Sequence, residues 1–272
     1  MPDSLESYRH WRVEPPIRRR PDIIEDLSEG TRHRAQKVRA HDGQGHHDYV
    51  VREALETQGL GTQFRTELTV MISAAAAGLA PQLVYVDEAN GATVTEYLAP
   101  FEDSEPESLL ATLLKGIHAL SPTAPAINLA SRLDGYRKVA LDAGHDGEQL
   151  FCSALPPLRT AADALAADTQ VLCHNDLNPS NVRTKDLRAM AIDWEYAGLG
   201  SAYFDAAACL LQWPNLDEDT FLTAIFDACV DRDCWNHARR LYLAIDWNWH
   251  AAMGLRSMIS SDWEPLWQHI NT

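Results

Sequence analysis

The stretch Val171-Leu-Cys-His-Asn-Asp-Leu-Asn-Pro-Ser-Asn-Val182 decides the fold, because a short apolar run leads into a polar loop of fixed spacing. Within it, His174, Asp176 and Asn181 form the pattern His-x-Asp-x-x-x-x-Asn. Further on, a second apolar run ends directly before Asp193. Two acids and an amide thus follow short apolar segments, and this arrangement predicts a catalytic site.

The chemistry that suits these side chains is phosphoryl transfer. Triphosphate oxygens need a hard cation, and Mg²⁺ takes oxygen ligands in octahedral geometry. One carboxylate must stay free of the metal to orient the attacking hydroxyl. The spacing therefore predicts Asp176 as the catalytic base and Asn181 and Asp193 as the Mg²⁺ ligands. The alternative is that His174 and Asn181 only hydrogen-bond a turn and that Asp193 is an ordinary loop acid.

Two segments of this region resemble a known enzyme superfamily. HNDLNPSN at 174–181 and IDWEYAG at 192–198 resemble the aminoglycoside phosphotransferases and choline kinases. The second segment is most similar to bacterial choline kinases and thiamine kinases. The resemblance implies an α+β, protein-kinase-like two-lobe fold, with a small β-rich N-terminal lobe and a larger α-helical C-terminal lobe.

The same resemblance suggests roles for three further residues. His174 would act as a structural brace, and Asp205, in the run Tyr203–Ala207, would brace the catalytic loop without touching substrate. Glu195 would line the acceptor pocket, although a salt-bridge role is an equal alternative.

The predicted secondary structure changes from mostly strands to mostly helices near an acidic segment that contains two prolines. We expect an N-terminal nucleotide-binding lobe at 1–97, whose first 20 residues are an irregular lead-in, then a hinge at 98–107 and a C-terminal catalytic and acceptor-binding lobe at 108–272. Apolar residues that alternate with polar ones, or recur at helical spacing, predict the strands and the helix of the first lobe. They are strands at Ile23–Leu27, Ala35–Ala40, Tyr49–Glu53, Gln82–Asp87 and Ala92–Tyr97, and a helix at Gly61–Ala77. Gly78 is expected to stop this helix.

The nucleotide site is expected in this first lobe. Arg52 stands at the end of a strand where protein kinases carry Lys, and its predicted partner is Glu67 on the following helix. The alternative is that both are surface residues without contact. Gly30 and Thr31 lie in a loop that could cover the phosphates, and Thr31, Arg32 or His33 could supply side-chain contacts. A single glycine makes an ordinary turn an equal alternative.

The hinge is expected to bind adenine through its main chain. In a kinase-like fold the linker after the last strand of the sheet hydrogen-bonds the edge of the base. Glu96 and Leu98 occupy that place here.

The acceptor site is expected near Asp246, Trp247 and Trp249. Aromatic faces attract quaternary ammonium groups, and a carboxylate adds to the attraction. Residues two apart on a helix do not share a face, so one Trp at most would line the pocket. Core packing of both rings is an equal alternative.

Composition excludes some classes of partner. The net charge of −16 argues against nucleic acid, whose phosphates bind Lys and Arg clusters, and it would attract a cationic small molecule. An odd count of five cysteines favours a reduced, cytoplasmic compartment. No apolar stretch reaches the length of a signal peptide or a membrane span. A monomer or a homodimer is expected.

These observations together predict a kinase with Mg²⁺ as its metal. It would transfer the γ-phosphoryl group of ATP to a hydroxyl of a small cationic alcohol of the choline, ethanolamine or thiamine type. An aminoglycoside or sugar acceptor is the alternative within the enzyme class. The alternative from another class is a catalytically silent nucleotide-binding scaffold, which the single-glycine loop favours.

Overall fold

The computed structural model has two compact units, and each is described by itself. The first comprises 1–124 and 179–197, and the second comprises 125–178 and 198–272. The structure describes residues 4–29, 33–43, 45–55, 61–142, 148–213, 215–227 and 229–253. Gly30, Thr31 and Arg32, predicted to contact phosphate, lie outside the described residues.

An antiparallel five-stranded sheet forms the centre of the first unit, with the strand order β1-β2-β3-β5-β4. Buried and more exposed positions alternate along β2, as expected for a strand with one face in the core. The bounds of every predicted strand lie within three residues of the observed bounds. These are β1 Asp22–Glu29, β2 His33–His41, β3 His46–Ala54, β4 Leu83–Asp87 and β5 Ala92–Glu96.

The lead-in before β1 is irregular apart from one 3-10 turn at Tyr8–His10, but it is part of the core. Its apolar side chains lie in one buried cluster with side chains of the sheet. The Trp11 and Tyr49 rings meet edge to face with centroids 5.4 Å apart. Backbone bonds from Arg12 N to Val84 O and from Arg18 N to His41 O fix the segment along the sheet. The lead-in members of the cluster are Leu5, Tyr8, Trp11 and Ile17.

The helix of the first unit, α1 Gly61–Ala76, ends where the sequence predicts a stop. Gly78 has φ of +71°, a left-handed conformation that glycine adopts without a steric penalty. Beyond the sheet, this unit also contains α2 Glu107–His118 and a small sheet in the order β6-β8-β9. Its strands are β6 Ala99–Pro100, β8 Val182–Lys185 and β9 Arg188–Ala191.

The unit boundary differs from the predicted division at 98–107. The pairing of β6 with β8 and the contact of α2 with β9 keep 99–118 with the first unit, together with the 182–191 hairpin. These pairings join segments that are about 80 residues apart in sequence, so no local pattern indicates them.

The second unit is mainly helical. The longest of its described helices, α7 Arg232–Ala252, packs against α3, α4 and α5. Its N-cap Asp231 accepts hydrogen bonds from Asp233 N and Cys234 N. The unit also has a two-stranded antiparallel sheet, β7 Gln170–Cys173 and β10 Gly198–Ser201. The other helices are α3 Leu129–Asp142, α4 Glu148–Ala167, α5 Ala202–Gln212 and α6 Glu218–Phe226.

The antiparallel sheet followed by helices confirms the predicted α+β class. Within the described part of the chain, no helix combines the length and the apolar character needed to span a bilayer.

Candidate active site

Arg52, on β3, is the centre of a polar group in the first unit. Its Nη1 donates to Glu67 Oε1 on α1, and its Nη2 donates to Asp193 Oδ1 at 3.1 Å. The same Nη2 lies 3.3 Å from Nδ1 of His33. The contact predicted between Arg52 and Glu67 is therefore present, and two further residues join it.

Burial and charge act against each other in this group. Burial alone lowers the pKa of Arg52, but the carboxylates of Glu67, Asp193 and Glu195 more than offset it, so that pKa is raised. Glu67 is 6% exposed, and its burial raises the pKa of its carboxyl although Arg52 opposes the shift. The guanidinium thus stays charged, and the buried carboxylate depends on it for compensation.

The hairpin of β8 and β9 brings Asn181 and Asp193 to one end. Asn181 directly precedes β8, and Asp193 follows β9 by two residues. Val182 pairs with Ala191, and Ile192 N donates to Asn181 O at 2.9 Å, which extends the pairing by one step. Asn181 is buried, and Asp193 has φ of +63°, a conformation that Asp adopts more readily than most residues.

The side chains of Asn181 and Asp193 are chemically suited to bind Mg²⁺. A carboxylate and an amide both offer oxygen atoms, which are the ligands that Mg²⁺ prefers. Mg²⁺ commonly takes few protein ligands and completes its shell with phosphate oxygens and water. The left-handed backbone at Asp193 also matches the tendency of strained residues to cluster at functional sites.

The predicted hinge is fixed by bonds to its neighbours. Glu96 N donates to Gln82 O at 3.0 Å, and the Glu96 carboxylate accepts from Lys185 Nζ at 2.6 and 2.7 Å. Tyr97 N donates to Asp48 O at 3.0 Å. Among the described residues, no hydrogen bond from the amide of Leu98 is observed.

The loop with Asp176 lies in the second unit and is anchored by a buried acid. Asp205, fully buried on α5, accepts from His174 N at 3.0 Å and from Asn175 N at 2.7 Å. Asn175 has φ of +64°, which turns the chain sharply before Asp176. The half-buried Asp176 carboxylate accepts from Asn178 Nδ2 at 3.1 Å. These bonds are what the bracing role suggested for Asp205 requires.

Three of the predicted acceptor residues, Asp246, Trp247 and Trp249, lie on α7, in the same unit as Asp176. Burial raises the pKa of Asp246, and His250, whose Nδ1 is 3.5 Å from Asp246 Oδ2, opposes the shift. Tyr242, one turn earlier, accepts from Gln212 Nε2 at 2.7 Å. Burial raises the pKa of Tyr242, and the charges of Asp246 and Asp176 raise it further. Tyr242 is thus within electrostatic reach of both acids.

Trp247 and Trp249, the two tryptophans predicted near the acceptor, are both half-buried. Trp249 meets the ring of His250 edge to face at 4.9 Å, which places it beside the partner of Asp246. Trp213, which belongs to no motif, donates from Nε1 to Leu177 O at 2.8 Å, and Leu177 directly follows Asp176.

Sequence reasoning left two contacts of these groups unassigned. Lys185 and Tyr242 contact or influence site residues but belong to no motif. His33 is among the side chains that the sequence indicates could contact phosphate, and in the structure its Nδ1 lies beside Arg52. Glu195 belongs to the first unit, where its charge acts on Arg52.

Solved structures share this fold across nearly the whole chain. Choline kinase LicA from Streptococcus pneumoniae superposes with a TM-score of 0.66 at 18% identity, covering 92% of both chains. A choline/ethanolamine kinase family protein from Mesorhizobium loti gives 0.64 at 19% identity, covering 90% of this chain and 84% of the other. The ADP-bound aminoglycoside phosphotransferase APH(2'')-Ib gives 0.57 at 17% identity, covering 92% and 91%.

Sequence comparison with curated proteins gives a short match. Protein LicA of Haemophilus influenzae is 50% identical over 38 residues, which span 14% of this chain and 14% of that relative's length. The model of the phosphotransferase enzyme family, in contrast, matches residues 24–240, which include every described residue of the Arg52 group and of the Asp176 loop. The chain accordingly belongs to the phosphotransferase enzyme family.

Proposed function

We propose that the chain is a small-molecule kinase that transfers the γ-phosphoryl group of ATP to a hydroxyl of a small cationic alcohol. The observation that carries the proposal is the Arg52 group. A half-buried guanidinium donates to Glu67 and also to Asp193, which shares one end of a hairpin with Asn181. Cation and oxygen ligands are thus grouped as a bound triphosphate and Mg²⁺ require.

In this proposal each residue has one task. Arg52 binds the α- and β-phosphates, and its charge is maintained by Glu67. Asn181 and Asp193 would hold Mg²⁺, which neutralises charge on the phosphates when bound. The Leu98 amide, and the main chain of Glu96, would bind the edge of adenine.

Asp176 orients the acceptor hydroxyl and accepts its proton as the new O–P bond forms. The bond between the γ-phosphorus and the bridging oxygen breaks, and ADP leaves with that electron pair. The loop bonds from Asp205 hold the backbone that carries Asp176, so little reorganisation is needed during the step.

Two features support a cationic acceptor: the acid and aromatic side chains on α7, and the negative net charge of the chain. The Asp246 carboxylate and the half-buried Trp247 and Trp249 are the groups that attract an ammonium ion. The net charge of −16 favours the same kind of ligand. The names of the similar structures include choline and ethanolamine kinases, and we extend that class of acceptor, together with thiamine, to this chain.

An aminoglycoside acceptor is the second candidate. APH(2'')-Ib shares the fold over 92% of this chain, and aminoglycosides are also cationic, so charge does not separate the two. A panel assay does: with ATP and Mg²⁺, we expect turnover of choline, ethanolamine or thiamine and none of kanamycin.

The control for this panel is Asp176→Asn. We expect it to lower kcat by about 10³-fold, within the usual range for a general base, while ATP binding and the unfolding midpoint stay unchanged. Asp163→Asn, an exposed acid of α4, is the matched surface variant. Nucleotide binding without transfer to any acceptor would instead identify a silent scaffold and defeat the proposal.

A further inference from the structure

Of the described residues that share a hydrogen bond with Arg52, His33 is the one that the mechanism above leaves unused. Its Nδ1 lies 3.3 Å from Arg52 Nη2, and Asp193 Oδ1 lies 3.1 Å from the same nitrogen. Because Nη2 carries two hydrogens, it can serve both acceptors at once. Glu67 takes a hydrogen of Nη1, so the guanidinium is held at both ends.

The contact determines the protonation state of His33. A guanidinium only donates hydrogen bonds, so the Nδ1 of His33 must be the acceptor and carry no proton. His33 is therefore neutral in this arrangement, with its proton on Nε2. A neutral acceptor adds no negative charge beside the place of the phosphates, which a third carboxylate would do.

The sheet fixes how His33 reaches Arg52. In the antiparallel register, Ala35 of β2 stands opposite Arg52, and His33 stands opposite Ala54. His33 and Ala35 are two residues apart and therefore face the same side, so His33 is the diagonal neighbour of Arg52. A long side chain spans this diagonal, and the backbone ladder keeps the two residues in register.

We propose that His33 is a positioning residue for Arg52. When Asp193 serves as a metal ligand, as the proposed function requires, its bond to Nη2 is weakened. Without His33, Glu67 alone would then hold the guanidinium. His33 then keeps the plane of the guanidinium fixed, so that the second Nη2 hydrogen points at the nucleotide phosphates.

Three substitutions test this geometry through nucleotide binding, measured by calorimetry with Mg²⁺ and a non-hydrolysable ATP analogue. His33→Asn puts an amide oxygen near the place of Nδ1, whereas His33→Gln puts its amide near the place of Nε2. We expect His33→Asn to keep the dissociation constant within about threefold, and His33→Ala and His33→Gln to raise it about tenfold, the scale of one lost bond to a charged group. The acceptor KM should not change.

His41→Asn, at the far end of β2, is the matched control and should bind the analogue like the parent chain. Wild-type binding by His33→Ala, or equal losses in His33→Asn and His33→Gln, would overturn the proposal. Equal weakening of analogue and acceptor binding with a lower unfolding midpoint would also overturn it, because it indicates a structural role. Analogue binding needs no turnover, so a failed acceptor panel defeats the proposed function without deciding the role of His33.

Discussion

Arg52 donates from Nη2 to Asp193 Oδ1 at 3.1 Å, although 141 residues separate the two in sequence. The bond connects the central sheet to the hairpin of β8 and β9 within the first unit. A cation and a proposed metal ligand thus share a hydrogen bond in the structure. Binding of Mg²⁺ and a triphosphate would exchange this bond for contacts with the ion and the phosphates.

Asp193→Asn should separate the metal role from the contact with Arg52. The amide keeps the shape and one oxygen acceptor but loses the charge that attracts Mg²⁺. We expect activity to fall at least ~100-fold at millimolar Mg²⁺, with partial recovery as the Mg²⁺ concentration is raised. The measurement is a Mg²⁺ titration of the initial rate at saturating nucleotide.

The control is Asp186→Asn, at an exposed turn of the same hairpin, which should leave the Mg²⁺ dependence unchanged. An Asp193→Asn enzyme with the parent Mg²⁺ curve would contradict the ligand role.

The Arg52 and Glu67 pair should contribute to stability in a way that single and double substitutions distinguish. Arg52→Met leaves the Glu67 carboxylate buried without its main compensating charge, and we expect a loss of about 3 kcal/mol in the free energy of unfolding. Replacing both residues with Met removes the buried charge altogether and should recover most of that loss. Urea unfolding of the single and double variants measures both values.

Activity should respond differently from stability. The double variant is expected to stay inactive although it is stable, because it lacks the phosphate-binding guanidinium. Arg52→Lys keeps the charge but not the fork, so it should retain measurable turnover with a raised nucleotide KM. An active double variant would remove Arg52 from the mechanism.

Asp205→Asn should destabilise the loop that carries Asp176. The buried carboxylate accepts two backbone N–H groups, and an amide can accept only through its single oxygen. We expect a loss of about 2–3 kcal/mol in the free energy of unfolding, as for other bonds to buried charged groups, and a lower kcat in the protein that stays folded. Denaturant unfolding and steady-state kinetics measure the two effects.

A suitable comparison is Asp168→Asn, just before β7, the strand that leads into the Asp176 loop. Asp168 accepts from the Ser201 hydroxyl and from the adjacent Thr169 N, both at 2.7 Å, but it is only half-buried, so its substitution should cost about 1 kcal/mol, less than that of Asp205. Equal costs for the two substitutions would show that Asp205 has no special bracing role.

The sequence predicts the local features of this fold well and the long-range ones poorly. Alternation places the five strands of the central sheet, and Gly78 correctly ends α1, because both features depend on neighbouring residues. The lead-in has no periodicity, and the burial of Tyr8 and Trp11 depends on a sheet built from later residues. The pairing of β6 with β8 is equally invisible in the local sequence, so the predicted hinge boundary differs from the compact units.

For the site, motif spacing identifies residues but not their partners. Asn181 and Asp193 follow from the motif, and the strand–helix order predicts the contact of Arg52 with Glu67. The bonds from Arg52 to Asp193 and His33 depend on sheet register and on a hairpin far along the chain. Neither feature has a sequence pattern, so these contacts needed the structure.

The pH dependence of acceptor binding should report on Asp246. Its carboxylate attracts a cationic acceptor only when ionised, and burial raises its pKa above the usual value for Asp, with His250 opposing. As the pH falls through this raised pKa, the acid becomes neutral, so the KM for choline should rise at a higher pH than an exposed Asp would cause. Initial rates from pH 5 to 8 with choline as acceptor measure this, and Asp246→Asn should raise the KM throughout.

The neutral analogue 3,3-dimethyl-1-butanol is the control, since its KM should not follow the same titration. If both acceptors show the same pH dependence, or if Asp246→Asn leaves the choline profile intact, the titrating group lies elsewhere and α7 does not bind the cation.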